Sequence, residues 1–140
     1  MTLVVDTAPL VALADAANPL RDAVHALLLA EEGPLVIPAP ATAEIDHLLG
    51  RHVGVAARLA FLADLAAGRF DVACLDHVDH ATILELEHRY ADLDLGLVDC
   101  AVVAIAARAR TNRLLTFDER HFRSVSPLDG GSFVLLPADS

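Results

Sequence analysis

Short apolar runs alternate with amphipathic stretches along this chain, and that alternation limits its fold more than any other feature. The runs are Thr2–Asp6, Leu35–Ile37, Phe70–Leu75, Arg113–Phe117 and Ser132–Leu136. Each is short and bounded by Gly, Pro or polar residues, so each reads as a strand. Helical patterns fill the intervals: Ala8–Ala16, Leu20–Glu32, Thr42–Arg51, Val55–Ala67, His77–Tyr90 and Gly96–Arg110, with a short turn at Glu119–Phe122. Their apolar residues fall on one face, as with Ala23, Val24, Leu27 and Leu28, or Ile83, Leu86 and Tyr90. The order βααβααβααβαβ predicts an α/β fold: a parallel sheet of about four to five strands with helices on both faces. Local signals punctuate it. Thr7 offers a hydroxyl cap to the first helix, with Pro9 in its first turn. Asn18-Pro19 and Gly33-Pro34 break helices, Pro38 and Pro40 mark a turn, and Ala91–Leu95 reads as an acidic loop.

At 140 residues the chain reads as a single domain, residues 1–140. It is 55% hydrophobic but only 4% aromatic, so the core must be built from Ala, Leu and Val. The net charge of -10 argues against a general polyanion-binding surface, because nonspecific nucleic-acid affinity comes from basic side chains. A nucleic acid held through a metal and a local Arg patch stays possible. All ten basic residues are Arg, and five fall late: Arg108, Arg110, Arg113, Arg120 and Arg123. Cys74 and Cys100 lack disulfide or metal-site spacing, and both read as buried apolar residues. The N-terminus lacks a basic segment, and Asp6 interrupts the first apolar run, so no signal peptide is read. No apolar stretch reaches the roughly 20 residues that span a bilayer. The expectation is a cytoplasmic protein without membrane association.

Four carboxylates stand where strands give way to helices: Asp6, Glu44, Asp99 and Asp118. Asp6 and Asp118 close apolar strands. Glu44 and Asp99 fall early in the helices that follow other elements. In an alternating fold, strand C-termini and helix N-termini share one edge of the sheet, where such folds bind ligands. Taken singly, each acid could be a cap or a first-turn residue favoured by the helix dipole. Taken together they gather like charge on one rim, which needs a cation or a proton. No Lys or Arg stands within four positions of Asp6, Glu44 or Asp99. A hard divalent ion with oxygen ligands answers the requirement.

The stretches Val5-Asp6-Thr7, Ala43-Glu44-Ile45-Asp46, Gly96-Leu97-Val98-Asp99 and Leu115-Thr116-Phe117-Asp118, in this order, resemble the PIN-domain nucleases. The closest likeness is to the VapC-type toxins of bacterial toxin–antitoxin pairs. Asp118-Glu119-Arg120-His121-Phe122 and the hairpin-like approach at Gly130-Gly131 add to it. The likeness covers essentially the whole chain. It implies a three-layer fold with Asp6, Glu44, Asp99 and Asp118 as site acids, Asp6 and Asp99 binding metal and Glu44 and Asp118 serving as further or water-mediated ligands. Thr7 and Thr116 match positions near that site, and otherwise act as local hydrogen-bonding residues. Asp94 lies in the loop before Asp99 and could reach the same rim. Asp46 points elsewhere on its helix, and Asp92 reads as solvent-exposed.

Such a cluster suits Mg²⁺, with Mn²⁺ as a substitute. The resemblance implies endonucleolytic RNA cleavage leaving a 5′-phosphate and a 3′-hydroxyl, a small antitoxin as partner, and a homodimer. The antitoxin would lay an apolar helix across the helices, with an Arg near the acids. Two rival readings are a PIN-like interaction module without catalysis, against which the intact acids argue, and a nuclease outside toxin systems. His77 and His80 have a spacing that can bind metal, but no HExxH or Cys companion accompanies them. Arg108 and Arg110 read as a solvated helix end, while Arg120 and His121 are candidates for substrate contact.

Overall fold

Solvent does not reach the first strand. Leu3, Val4 and Val5 form β1 (Leu3–Val5), and an apolar run without alternation is what a strand buried on both faces requires. In the computed structural model, which describes residues 1–140, β1 is the middle strand of a five-stranded sheet. It pairs in parallel with β2 (Leu35–Pro38) on one side and β4 (Arg113–Leu115) on the other. β3 (Asp71–Ala73) joins β2, and β5 (Val134–Leu136) joins β4, both in parallel. The order is β3-β2-β1-β4-β5.

The period of two along each strand divides the core. Leu3, Val5, Ile37, Leu115 and Leu136 face one cluster with Leu10, Val24, Ile45 and Phe61. These come from α1 (Thr7–Ala14), α2 (Arg21–Ala30), α3 (Ala39–His52) and α4 (Val55–Ala66). Val4, Leu114 and Leu135 face the other, with Ile83 and Leu86 of α5 (His77–Arg89) and Phe122 of α7 (Glu119–Ser124). Most of that second face is α6 (Leu97–Arg108), in which every residue from Cys100 to Ala106 is buried. A helix apolar all round belongs inside the molecule. The result is the expected α/β sandwich of helix, sheet and helix.

From β1 the chain steps outward to β2 and β3, then returns to β4 on the opposite side of β1. The connections beyond the C-terminal ends of β1 and β4 therefore part in opposite directions and leave a crevice, the usual ligand site of an open parallel sheet.

Several local expectations need correction. Asp6, not Thr7, caps α1, its carboxylate accepting from the Thr7 backbone N–H. Pro38 and Pro40 do not form a turn: β2 runs straight into α3, and Pro40 sits in its first turn, where the missing N–H would have had no partner. The acidic loop contains a 3₁₀ turn at Ala91–Leu93. Gly130 and Gly131, with φ of 92° and 81°, turn the chain before β5, but β5 is parallel to β4 and no hairpin forms. Cys74 is exposed, because it follows the edge strand β3; Cys100 is buried as expected.

Leu114, fully buried between β1 and β5, tests this core. Leu114→Ala should destabilise the protein by about 3 kcal/mol. The exposed Leu29→Gln should change stability by less than about 0.5 kcal/mol. Urea titration checks both, with a lowered midpoint and unchanged slope expected for the first.

Candidate metal centre

Asp6 follows β1 directly, and its backbone N–H still donates to the Leu115 carbonyl at 2.9 Å. Sheet register therefore fixes where its side chain begins. One carboxylate oxygen accepts from the Thr7 N–H at 2.8 Å, and the other from the Thr116 hydroxyl at 2.7 Å. Burial pushes the Asp6 carboxyl above its ordinary range; these two hydrogen bonds oppose the shift, and the charges of Glu44 and Asp118 add to it. Thr116 Oγ1 also accepts from the Asp118 N–H at 3.0 Å, so one buried hydroxyl ties two of the acids together.

Asp118 caps α7, accepting from the His121 N–H at 3.0 Å. A short helix needs an anchor, and Arg123 provides it. Its guanidinium grips Asp139 through bonds of 2.9 and 2.6 Å, while Asp139 accepts from the Leu135 N–H at 2.7 Å. That arginine holds Asp139 down at about 2 and fastens α7 to β5.

Asp99 lies on the first turn of α6. Burial and then the charge of Asp6 raise its carboxyl to about 6, although a hydrogen bond with His121 favours the ionised form. His121 Nδ1 stands 2.7 Å from Asp99 Oδ2 and 2.9 Å from Asp118 Oδ2. Burial disfavours the charged ring, but the hydrogen bond to Asp99 and the charges of Asp118 and Asp99 raise its pKa overall. Glu44 is exposed on α3, across the crevice.

Asp6, Thr7, Glu44, Asp99 and Asp118 all line one cavity of about 660 Å³ at the open end of the sheet. Thr116 stands behind it as the hydrogen-bond partner of Asp6. Asp94 does not line it: the residue is exposed and ends the 3₁₀ turn with φ of 51°. Arg120 is exposed on α7 and also lies outside the lining. Asp46 faces Arg58 at 3.7 Å, and Asp92 is exposed. His77, His80 and His88 are exposed on α5. Asn18 lines the cavity, though its sequence context marked only a helix break. His121 gave a clearer signal, standing three residues after Asp118, one helical turn away.

The residues present fit a divalent cation. Their donors are mainly hard carboxylate oxygens from separate elements. Thr7 Oγ1 is buried on the cavity wall without a hydrogen-bond partner. Asp99, Asp118 and His121 bring one ligand atom each to within 4.8 Å of one another. The raised carboxyls show that the crevice wants positive charge.

Comparison with known proteins gives a consistent picture. The model of the PIN domain family matches residues 3–126. Ribonuclease VapC26 of Mycobacterium tuberculosis is 36% identical over 135 residues, which cover 96% of this chain and 100% of that protein. Among solved structures, VapC20 of Mycobacterium tuberculosis, a sarcin-ricin loop cleaving toxin, superposes with a TM-score of 0.77 at 20% identity, covering 83% of this chain and 89% of its own. VapBC2 from Rickettsia felis, bound to a DNA fragment from its promoter, gives 0.69 at 17% identity over 96% and 97% of the two chains. The two structures share the fold.

The electrostatics make stability depend on pH in a definite direction. Asp99 binds its proton more tightly folded, at about 6, than in the free chain at 3.8. Its ionisation therefore costs the folded state on the order of 3 kcal/mol at neutral pH, a cost that disappears as pH falls through 6 toward 4. The raised His121 acts in the same sense, stabilising at low pH and losing that effect as pH rises past its folded value. Metal-free protein in chelator should melt about 4 °C or more higher at pH 5.5 than at pH 7.5. Saturating Mn²⁺ should raise the melting temperature more at pH 7.5 and narrow the gap. Asp99→Asn should flatten the metal-free profile. Calorimetry showing the opposite slope would refute this account of the crevice.

Proposed function

Because the chain belongs to the PIN-domain family, we propose that it is a metal-dependent endoribonuclease, cleaving RNA phosphodiester bonds as the toxin of a toxin–antitoxin pair. The observation that carries this reading is the meeting of Asp6, Glu44, Asp99 and Asp118 in one cavity at the switch point of the sheet. Asp6 and Asp99 would hold a Mg²⁺ or Mn²⁺ ion, with Glu44 and Asp118 as further or water-mediated ligands. When bound, the ion supplies an acidified water as nucleophile and neutralises charge on the phosphate.

The chain's own residues set the geometry of that chemistry. The Thr7 N–H and Thr116 hydroxyl prevent the Asp6 carboxylate from rotating. Thr116 also fixes the backbone of Asp118. Glu44, exposed on the far wall, is free to orient or deprotonate the attacking water. In such a reaction the water oxygen would bond to phosphorus as its proton passes to Glu44, the bond to the 3′ oxygen would break, and that oxygen would take a proton from solvent, leaving a 5′-phosphate and a 3′-hydroxyl. No helix is long and apolar enough to cross a membrane. A small antitoxin with an apolar helix suits the outer face of α4, where Val55, Leu59 and Leu62 stay exposed at helical spacing. A homodimer would use apolar helical surface of the same kind.

Purified, partner-free protein should cleave cellular RNA only with Mg²⁺ or Mn²⁺. Asp6→Asn and Asp99→Asn should each lower cleavage at least about 100-fold, and Thr116→Val about tenfold through misplacement of Asp6. Circular dichroism should show the fold intact, and sequencing of new RNA 5′ ends after induced expression should locate the cuts. The nuclease reading falls if no metal-dependent cleavage is found and Asp6→Asn leaves the growth effect of expression unchanged. If the neighbouring gene encodes no small DNA-binding protein, the toxin role weakens while the nuclease survives.

A further inference from the structure

We infer that His121 supplies a nitrogen ligand to this metal centre, making it a carboxylate–imidazole site that prefers Mn²⁺ to Mg²⁺. The inference rests on the reading of the acids as metal ligands. It starts from the placement of Nδ1, 2.7 Å from Asp99 Oδ2 and 2.9 Å from Asp118 Oδ2. Neighbouring ligands on an octahedral ion at about 2.1 Å stand about 3 Å apart. The ring nitrogen and the two oxygens thus have the spacing of ligand atoms around one ion, and all three lie within 4.8 Å of one another.

Nδ1 shares a hydrogen bond with Asp99 Oδ2, so a proton lies between ring and carboxylate. A bound ion would take the place of that proton, because histidine ligates metal as the neutral imidazole. Thr7 Oγ1, buried without a partner in the cavity that Asp99 and Asp118 also line, is a separate sign that this cavity holds something more than its own side chains; His121 reaches the site through those two acids rather than from the lining.

The ring is also held firmly. Its side chain is 17% exposed, and the next residue, Phe122, packs edge-on against Phe133 at 6.0 Å between ring centres. A preplaced imidazole lowers the cost of binding metals that accept nitrogen. Mg²⁺ gains little from it, because Mg²⁺ favours oxygen ligands and retains water. Mn²⁺ stands at the start of the transition series, for which imidazole is a better donor.

Pulsed electron paramagnetic resonance of the Mn²⁺-loaded protein tests the assignment without any activity measurement. The expected result is nitrogen-14 modulation from a directly bound imidazole. His121→Ala and His121→Gln should lose it, while the exposed His25→Ala should retain it. Titration calorimetry should show the Mn²⁺ to Mg²⁺ affinity ratio falling about tenfold in both His121 variants. Bound Mn²⁺ without nitrogen coupling in the wild type overturns the His121 assignment and leaves the acid site standing; that result needs no variant to fold. Coupling that survives in His121→Ala does the same. Failure of the wild type to bind Mn²⁺, or unchanged binding in Asp99→Asn, overturns the metal reading and this inference with it.

Discussion

Asp6 and Asp99 share a partly desolvated crevice in which burial and neighbouring carboxylates raise the proton affinity of both. Left to themselves, such groups would move apart or draw in water. What holds them is a set of contacts made elsewhere: sheet pairing beneath Asp6, the Thr116 hydroxyl between two acids, and the Arg123–Asp139 clamp that fastens α7. The crevice costs the folded state a few kcal/mol, against a typical total stability of only about 5–15 kcal/mol. The rest of the domain must therefore be well packed. A middle strand shielded from solvent and a helix buried from Cys100 to Ala106 provide that packing.

Topology decides where the strain falls. Every strand points the same way, so all C-terminal ends meet at one edge, and only between β1 and β4 do the outgoing connections diverge. Acids at the ends of those two strands face a gap that no helix closes. The same acids at the other end of the strands would meet tightly packed connections. Arg113 and Glu31 illustrate this: a basic residue at the start of β4 finds a carboxylate at the end of α2, with two bonds of 2.9 and 2.7 Å, and the pair neutralises itself. At the C-terminal edge no arginine plays that part for Asp6 or Asp99, and the crevice keeps its negative charge.

How much of this could be read from the chain depended on how local each determinant was. The strands, their order and the acids that follow them are local signals: an apolar run, then a carboxylate within one residue for Asp6 and two or three for Asp118. Glu44 was legible as an acid early in a helix read from Thr42; the helix in fact begins at Ala39, which sets Glu44 in its second turn, and it still lines the cavity. Asp94 misled because position along the chain says nothing of direction; its left-handed backbone turns it away from the cavity. Pro40 misled because proline breaks a helix interior but suits its first turn. His121 was underrated for a different reason. Its importance comes from a contact with Asp99 across 22 positions, between helices whose relative placement only the folded sheet determines.

The charge balance bears on how a protein of this kind could engage RNA. With a net charge of -10 it has no basic field to gather a polyanion from a distance. Its arginines are mostly committed as well. Arg21, Arg58, Arg69, Arg89, Arg108, Arg113 and Arg123 each face a carboxylate within ion-pair distance. Arg51, Arg110 and Arg120 are the ones left without such a partner. Arg120 follows Asp118 by two residues, and Arg51 stands two helical turns beyond Glu44 on α3. On the proposed reading, the positive charge that meets RNA is then concentrated at the metal rather than spread over a face. Binding of that kind rewards an RNA whose shape brings one phosphate to the crevice. It offers little to an arbitrary strand, so the selectivity of such an enzyme would arise from the fit around the scissile bond and not from attraction at long range.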